Sequence, residues 1–76
     1  MKFELWSAQH WDNSVDVLKD YPQIEQNFKV ELDSKVDYTA YVIIDSLEDL
    51  IKLTEIIECS IVFDVGRIMI YDGYLE

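Results

Sequence analysis

His10 is the single side chain whose ordinary pKa lies near neutrality, and Cys59 is the single thiol. They could form a base–nucleophile pair only if folding placed them in contact. Cys59 stands beside Ile56, Ile57 and Ile61, where a small inert core thiol is the simpler expectation. His10, between Gln9 and Trp11, precedes a run suited to capping a helix and fits a surface or capping position. No Ser-His-Asp order, glycine-rich phosphate loop or nucleophile elbow occurs. Carboxylates could hold Ca²⁺ or Mg²⁺, but the calcium-loop pattern is missing and Asp33, Asp37 and Asp45 are dispersed. His10-x-Asp12 falls far short of a paired zinc signature. The expectation is a chain with no catalytic residue, no metal site and no cofactor.

The acids offer a different chemistry. Asp12, Asp16 and Asp20 recur at i, i+4 and i+8, which on a helix makes one stripe with ~6 Å of rise between neighbours. Glu31 and Asp33, two apart on a strand, share a face at ~6.7 Å. Both spacings approach the separation of phosphates along one nucleic-acid strand, so these five carboxylates could imitate a phosphate row. A solvated amphipathic helix produces the same i, i+4 pattern, so spacing alone does not decide. Composition adds weight to mimicry. Sixteen Asp plus Glu against six Lys plus Arg give a formal charge of -10 on 76 residues, and repulsion of that order opposes a compact state unless the field is used. The same charge argues against direct binding of nucleic acid or an anionic membrane.

Half of the residues are hydrophobic and 13% are aromatic, too much for a disordered acidic tail. One domain, residues 1–76, is the expected count, and a chain this short is marginal unless it packs well, dimerises or binds a partner. A single Cys forms no internal disulfide, the first residues hold no long apolar run, and no stretch approaches the ~20 apolar residues of a membrane span. A cytoplasmic protein is expected. Aromatic residues are interleaved with Asp and Glu rather than with Lys and Arg, as in Tyr71-Asp72-Gly73-Tyr74. That implies a protein partner with a basic, partly apolar groove, with Trp11 and Tyr21 beside the acidic helix as apolar anchors. Alternatively, the 38–44 strand or the Tyr71–Tyr74 segment forms a homodimer interface.

Local patterns place these residues on elements. Residues 2–8 read as a strand with Phe3 and Leu5 on one face. Asp12, Asn13 or Ser14 caps a short helix with Val15 and Leu18 inward, which ends at Tyr21 before Pro22. Phe28, Val30 and Leu32 alternate with Lys29, Glu31 and Asp33 as a strand, and 38–44 (YTAYVII) pairs with it after a polar turn. Asp45 and Glu48 suggest a capping box for a helix over 46–58, with Leu47, Leu50, Ile51, Thr54 and Ile57 inward. Ile61–Phe63 and Ile68–Ile70 form a second hairpin, with Gly66 at positive φ. The predicted fold is α+β with order βαββαββ: an antiparallel sheet of about five strands with two helices on one face. It is ferredoxin-like or related, with the last strand as an addition.

The run Tyr41–Ile51 (YVIIDSLEDLI), followed by Ile68-Met69-Ile70-Tyr71-Asp72-Gly73-Tyr74, resembles small acidic proteins of bacteriophages and mobile elements of the anti-defence type. The likeness covers about half the chain and rests on structural motifs. It implies an inhibitor, anti-restriction or anti-CRISPR, acting in the host bacterial cytoplasm. Such a protein occludes a basic nucleic-acid-binding nuclease or effector complex as an acidic decoy. No site residue is carried over by the likeness. The expected partner-binding set is Asp12, Asp16, Asp20, Glu31, Asp33, Trp11 and Tyr21.

Overall fold

A computed structural model describes residues 1–11 and 13–73. The elements run β1 (Lys2–Ser7), α1 (Ser14–Asp20), α2 (Gln23–Asn27), β2 (Val30–Leu32), β3 (Ala40–Ile43), α3 (Leu47–Ile56), β4 (Ser60–Asp64) and β5 (Arg67–Tyr71). The chain is α+β, with one five-stranded sheet in the order β2-β3-β1-β5-β4. β1 is antiparallel to β3, β2 to β3 and β4 to β5, while β1 and β5 run parallel.

That parallel pair corrects the expected all-antiparallel sheet. β2, β3 and β1 keep the split β-α-β arrangement, but the final strand is not appended at an edge. β5 inserts between β1 and β4 and pushes β4 to the outside. The Val65-Gly66 turn folds the hairpin back, and Gly66 takes φ 71°, a left-handed conformation that costs glycine nothing.

A third helix is the second correction. Pro22 ends α1 as expected, with the Tyr21 backbone N–H bonding the Val17 carbonyl. Pro22 itself, at φ −62°, is already helical and starts α2. Phe28 therefore closes α2 instead of opening a strand. Leu32, expected to be buried, is 68% exposed at the end of the three-residue β2.

α3 forms where expected, but turned about its axis. Ser46, not Asp45, is the N-cap and accepts from the Asp49 N–H at 3.2 Å, while the Asp49 carboxylate reaches back to the Asp45 N–H. The buried stripe is Leu50, Leu53 and Ile57, and Leu47, Ile51 and Thr54 face outward.

One core holds the layers together. Leu5 from β1, Ala40, Val42 and Ile44 from β3 and its exit, and Ile68 and Ile70 from β5 meet Val17, Leu18, Ile24, Leu53 and Ile57 of the helical segments. The strand residues in this set alternate with the others, so the three helices cover one sheet face, and among the described residues no helix covers the opposite one. Among the described residues no helix is long and apolar enough to cross a membrane.

Candidate functional site

The open sheet face follows from strand alternation and register. Leu5 points to the core, so Glu4 and Trp6 point away. Their neighbours Tyr41 on β3 and Arg67 and Met69 on β5 do the same, as do Glu31 on β2 and Val62 on β4. Charges on this face are locally matched. Lys2 Nζ lies 4.9 Å from the Tyr41 ring centre and 3.7 Å from Glu31 Oε2, and the Arg67 guanidinium stacks 4.7 Å from the Trp6 ring centre. Trp6 Nε1 donates to Glu4 Oε2 at 2.6 Å, and Trp11 meets Trp6 edge-on at 5.2 Å. Apolar surface remains, with Val62 47% and Trp11 58% exposed.

The helical layer contrasts with it. α1, α2 and α3 carry Asp16, Asp20, Glu25, Glu48, Asp49 and Glu55 against Lys19 and Lys52. Lys19 sits 3.5 Å from Asp16 and offsets part of that charge.

The expected partner-binding residues divide among three environments. Asp16 and Asp20 stand on α1, spaced as expected, and Asp12 lies outside the described residues. Glu31 and Asp33 stand together, but on the open-face side, across the sheet from α1. The five acids thus do not form one row. Asp33 is engaged in the turn before β3: its carboxylate accepts from the backbone N–H groups of Lys35 (2.8 Å) and Val36 (3.1 Å) and from the Tyr41 hydroxyl (2.9 Å). These donors, with the Lys35 N–H foremost, hold its carboxyl below the usual aspartate range, and the Asp33 carboxylate in turn raises the Tyr41 hydroxyl above its ordinary value.

Tyr21 is used internally. Its hydroxyl donates to the buried Asp72 at 2.9 Å and lies 3.5 Å from Cys59 Sγ, and Asp72 also accepts from the Gln9 N–H. Burial foremost, then the Cys59 and Asp72 contacts, push the Tyr21 hydroxyl well above the ordinary tyrosine range. This contact ties the end of β5 to the α1–α2 junction. Trp11 does stand exposed, beside the N-terminus of α1.

Neither candidate for catalysis meets the other. His10 Nε2 faces the Asp20 carboxylate, and Cys59 neighbours Tyr21. Among the described residues no group of three or more His, Cys, Asp or Glu could hold a metal ion.

One feature at the end of the sheet was not foreseen from sequence. Where β1 leaves the sheet and β3 enters it, Glu4, Gln9, His10, Trp11, Asn13, Tyr38 and Thr39 surround a solvent-open hollow of about 730 Å³. The Asn13 side chain, which accepts from the Asp16 N–H at 3.1 Å as the α1 cap, fixes one wall. The His10–Asp20 contact fixes another. Contributors up to 35 residues apart carry no common local signature.

The fold and these surfaces define a small α+β domain with an acidic helical side and an aromatic open sheet. No protein family, curated protein or solved structure matches this chain.

Proposed function

We propose that this chain is a non-catalytic inhibitor that binds a basic surface of a nucleic-acid-binding protein, of the kind a phage directs at a host restriction or CRISPR enzyme. The observation that carries this reading is the segregation of charge: six acids and two lysines on the three helices, against a nearly balanced sheet face. A layer of one sign attracts a basic partner and speeds encounter, an effect that salt weakens. Mimicry here is an acidic helical surface, with Asp16 and Asp20 as its retained members. Glu31 and Asp33 lie outside it.

Reversal of Asp16, Asp20, Glu48 and Glu55 to Lys tests the reading, since each reversal adds two charges and the formal charge moves from -10 to about -2. Binding to the partner should be lost, and wild-type binding should weaken steeply between low and moderate salt. Full inhibition by the reversed variant would remove the mechanism.

The second reading is a homodimeric regulatory module, favoured by the sheet face with Trp6, Tyr41, Met69 and Val62, which no helix among the described residues covers. A mass in solution that stays monomeric across concentrations would count against it.

A further inference from the structure

We infer that the hollow at the end of the sheet is a receptor for a guanidinium group, an arginine side chain presented by the basic partner. The inference rests on the proposed function for the source of that arginine, but the site stands on its own chemistry. Trp11 and Tyr38 supply aromatic walls that are 58% and 53% exposed and so open to a ligand. A planar, weakly hydrated cation stacks on such faces more readily than an ammonium does.

Glu4 supplies the charge. Its carboxylate lines the hollow and is held by the Trp6 indole N–H at 2.6 Å, which leaves Oε1 and the remaining acceptor positions of Oε2 for a ligand. Among the described residues it makes no salt bridge with a cation of the chain. Gln9 adds a further polar group to the wall. The chain already demonstrates this preference next door: Arg67, the cross-strand neighbour of Glu4, stacks its own guanidinium on Trp6. The hollow repeats that combination of indole and carboxylate, with Trp11 in place of Trp6; among the described residues no Lys or Arg lines it, and the His10 ring on its wall is turned to Asp20.

A phosphate or nucleobase ligand is disfavoured by the fixed carboxylate and by the formal charge of -10. At about 730 Å³ the hollow has room to admit an arginine side chain.

The test uses the intact chain and blocked amino acids as probes, followed by NMR. N-acetyl-arginine methylamide should shift the Trp11 indole N–H and the Tyr38 amide saturably, with a Kd on the order of millimolar for so small a ligand. The citrulline analogue, equal in shape but uncharged, should leave both signals in place, and the lysine analogue should bind several-fold more weakly. Glu4→Gln should weaken arginine binding about tenfold. Tyr38→Ala, at an exposed position, serves as a second variant should Glu4→Gln disturb the fold, and should weaken it likewise. Leu47→Ala, at an exposed position on the far helix, should leave it unchanged. Non-saturable shifts, an equal response to citrulline, or arginine binding untouched by both variants would overturn the site. Arginine binding without capture of a basic partner would leave the hollow standing and remove the proposed function; capture without arginine binding would do the reverse.

Discussion

The helical side and the open side of the sheet are built from the same strands, yet they treat charge in opposite ways. On the open side each cation is placed against a ring or a carboxylate, Lys2 between Tyr41 and Glu31 and Arg67 on Trp6, so little net field leaves that face. On the helical side the acids outnumber the lysines three to one: Lys19 pairs with Asp16, Lys52 lies over the Phe28 ring and His10 meets Asp20, and among the described residues Glu25, Glu48, Asp49 and Glu55 have no ion-pair partner. A formal charge spread evenly for solubility would not separate in this way. The difference suggests two tasks: long-range attraction by the helices, and short-range contact by aromatic groups on the sheet and at its end.

The largest effect expected from breaking this contrast is on binding. Reversing the four helical acids to Lys should lower affinity for a basic partner by about a hundredfold or more, measured by titration calorimetry at low salt, while far-ultraviolet circular dichroism stays unchanged. Placing Lys at Val62 and Met69, on the open face, should change that affinity less than about threefold. If instead the open-face pair abolishes binding and the helical reversals do not, the assignment of tasks is inverted.

Next in size is the cost of untying the two sides at Tyr21. Tyr21→Phe leaves the buried Asp72 without its hydroxyl donor and should destabilise by about 1–3 kcal/mol, lowering the melting temperature by roughly 4–8 °C for each kcal/mol. The sign with pH follows from the raised Tyr21 value. A hydroxyl kept neutral in the folded state stabilises the fold below the ordinary tyrosine pKa of ~10, and that contribution is lost as pH rises above it. The variant should therefore narrow its stability gap from wild type in alkaline solution. The smallest effect belongs to Asp33. Its lowered pKa means a contribution present above the ordinary aspartate value of ~3.9 and lost as pH falls toward the folded value. Asp33→Asn should thus flatten the acid limb of a thermal-melt series by lowering its neutral plateau slightly while the most acid values stay near those of wild type.

The sequence made the local elements legible, because their signals are local. Alternation marked the strands, Pro22 marked the end of α1, and Gly66 marked the second turn. α2 was missed because five residues bury only Ile24, and because Pro22 was read as a stop when it is equally suited to a first helical turn. The parallel placement of β5 was not legible, since Ile68 and Ile70 alternate in the same way beside either neighbour and only long-range pairing selects β1. The turned face of α3 has a similar cause: Leu47 and Ile51 satisfy the helical period, but the space beneath the helix is filled by Leu50, Leu53 and Ile57. At the site, Trp11 was legible as an exposed aromatic beside an acidic helix. Glu4 and Tyr38 were not, because each has meaning only beside the other across the sheet end. Tyr21 and Asp33 were read as outward-facing, and both are occupied by hydrogen bonds: Tyr21 ties distant segments together, and Asp33 holds the turn before β3.

On the proposed function, the helical layer meets the nucleic-acid-binding surface of a basic protein. Immobilised wild-type chain should capture from bacterial lysate at low salt a basic nuclease or effector subunit that is released by added DNA or RNA. The chain with the four helical acids reversed should capture none of it, and the Val62 and Met69 variant should capture it as wild type does. Recovery of the same proteins by the reversed chain, or a captured partner that nucleic acid fails to displace, would contradict the account.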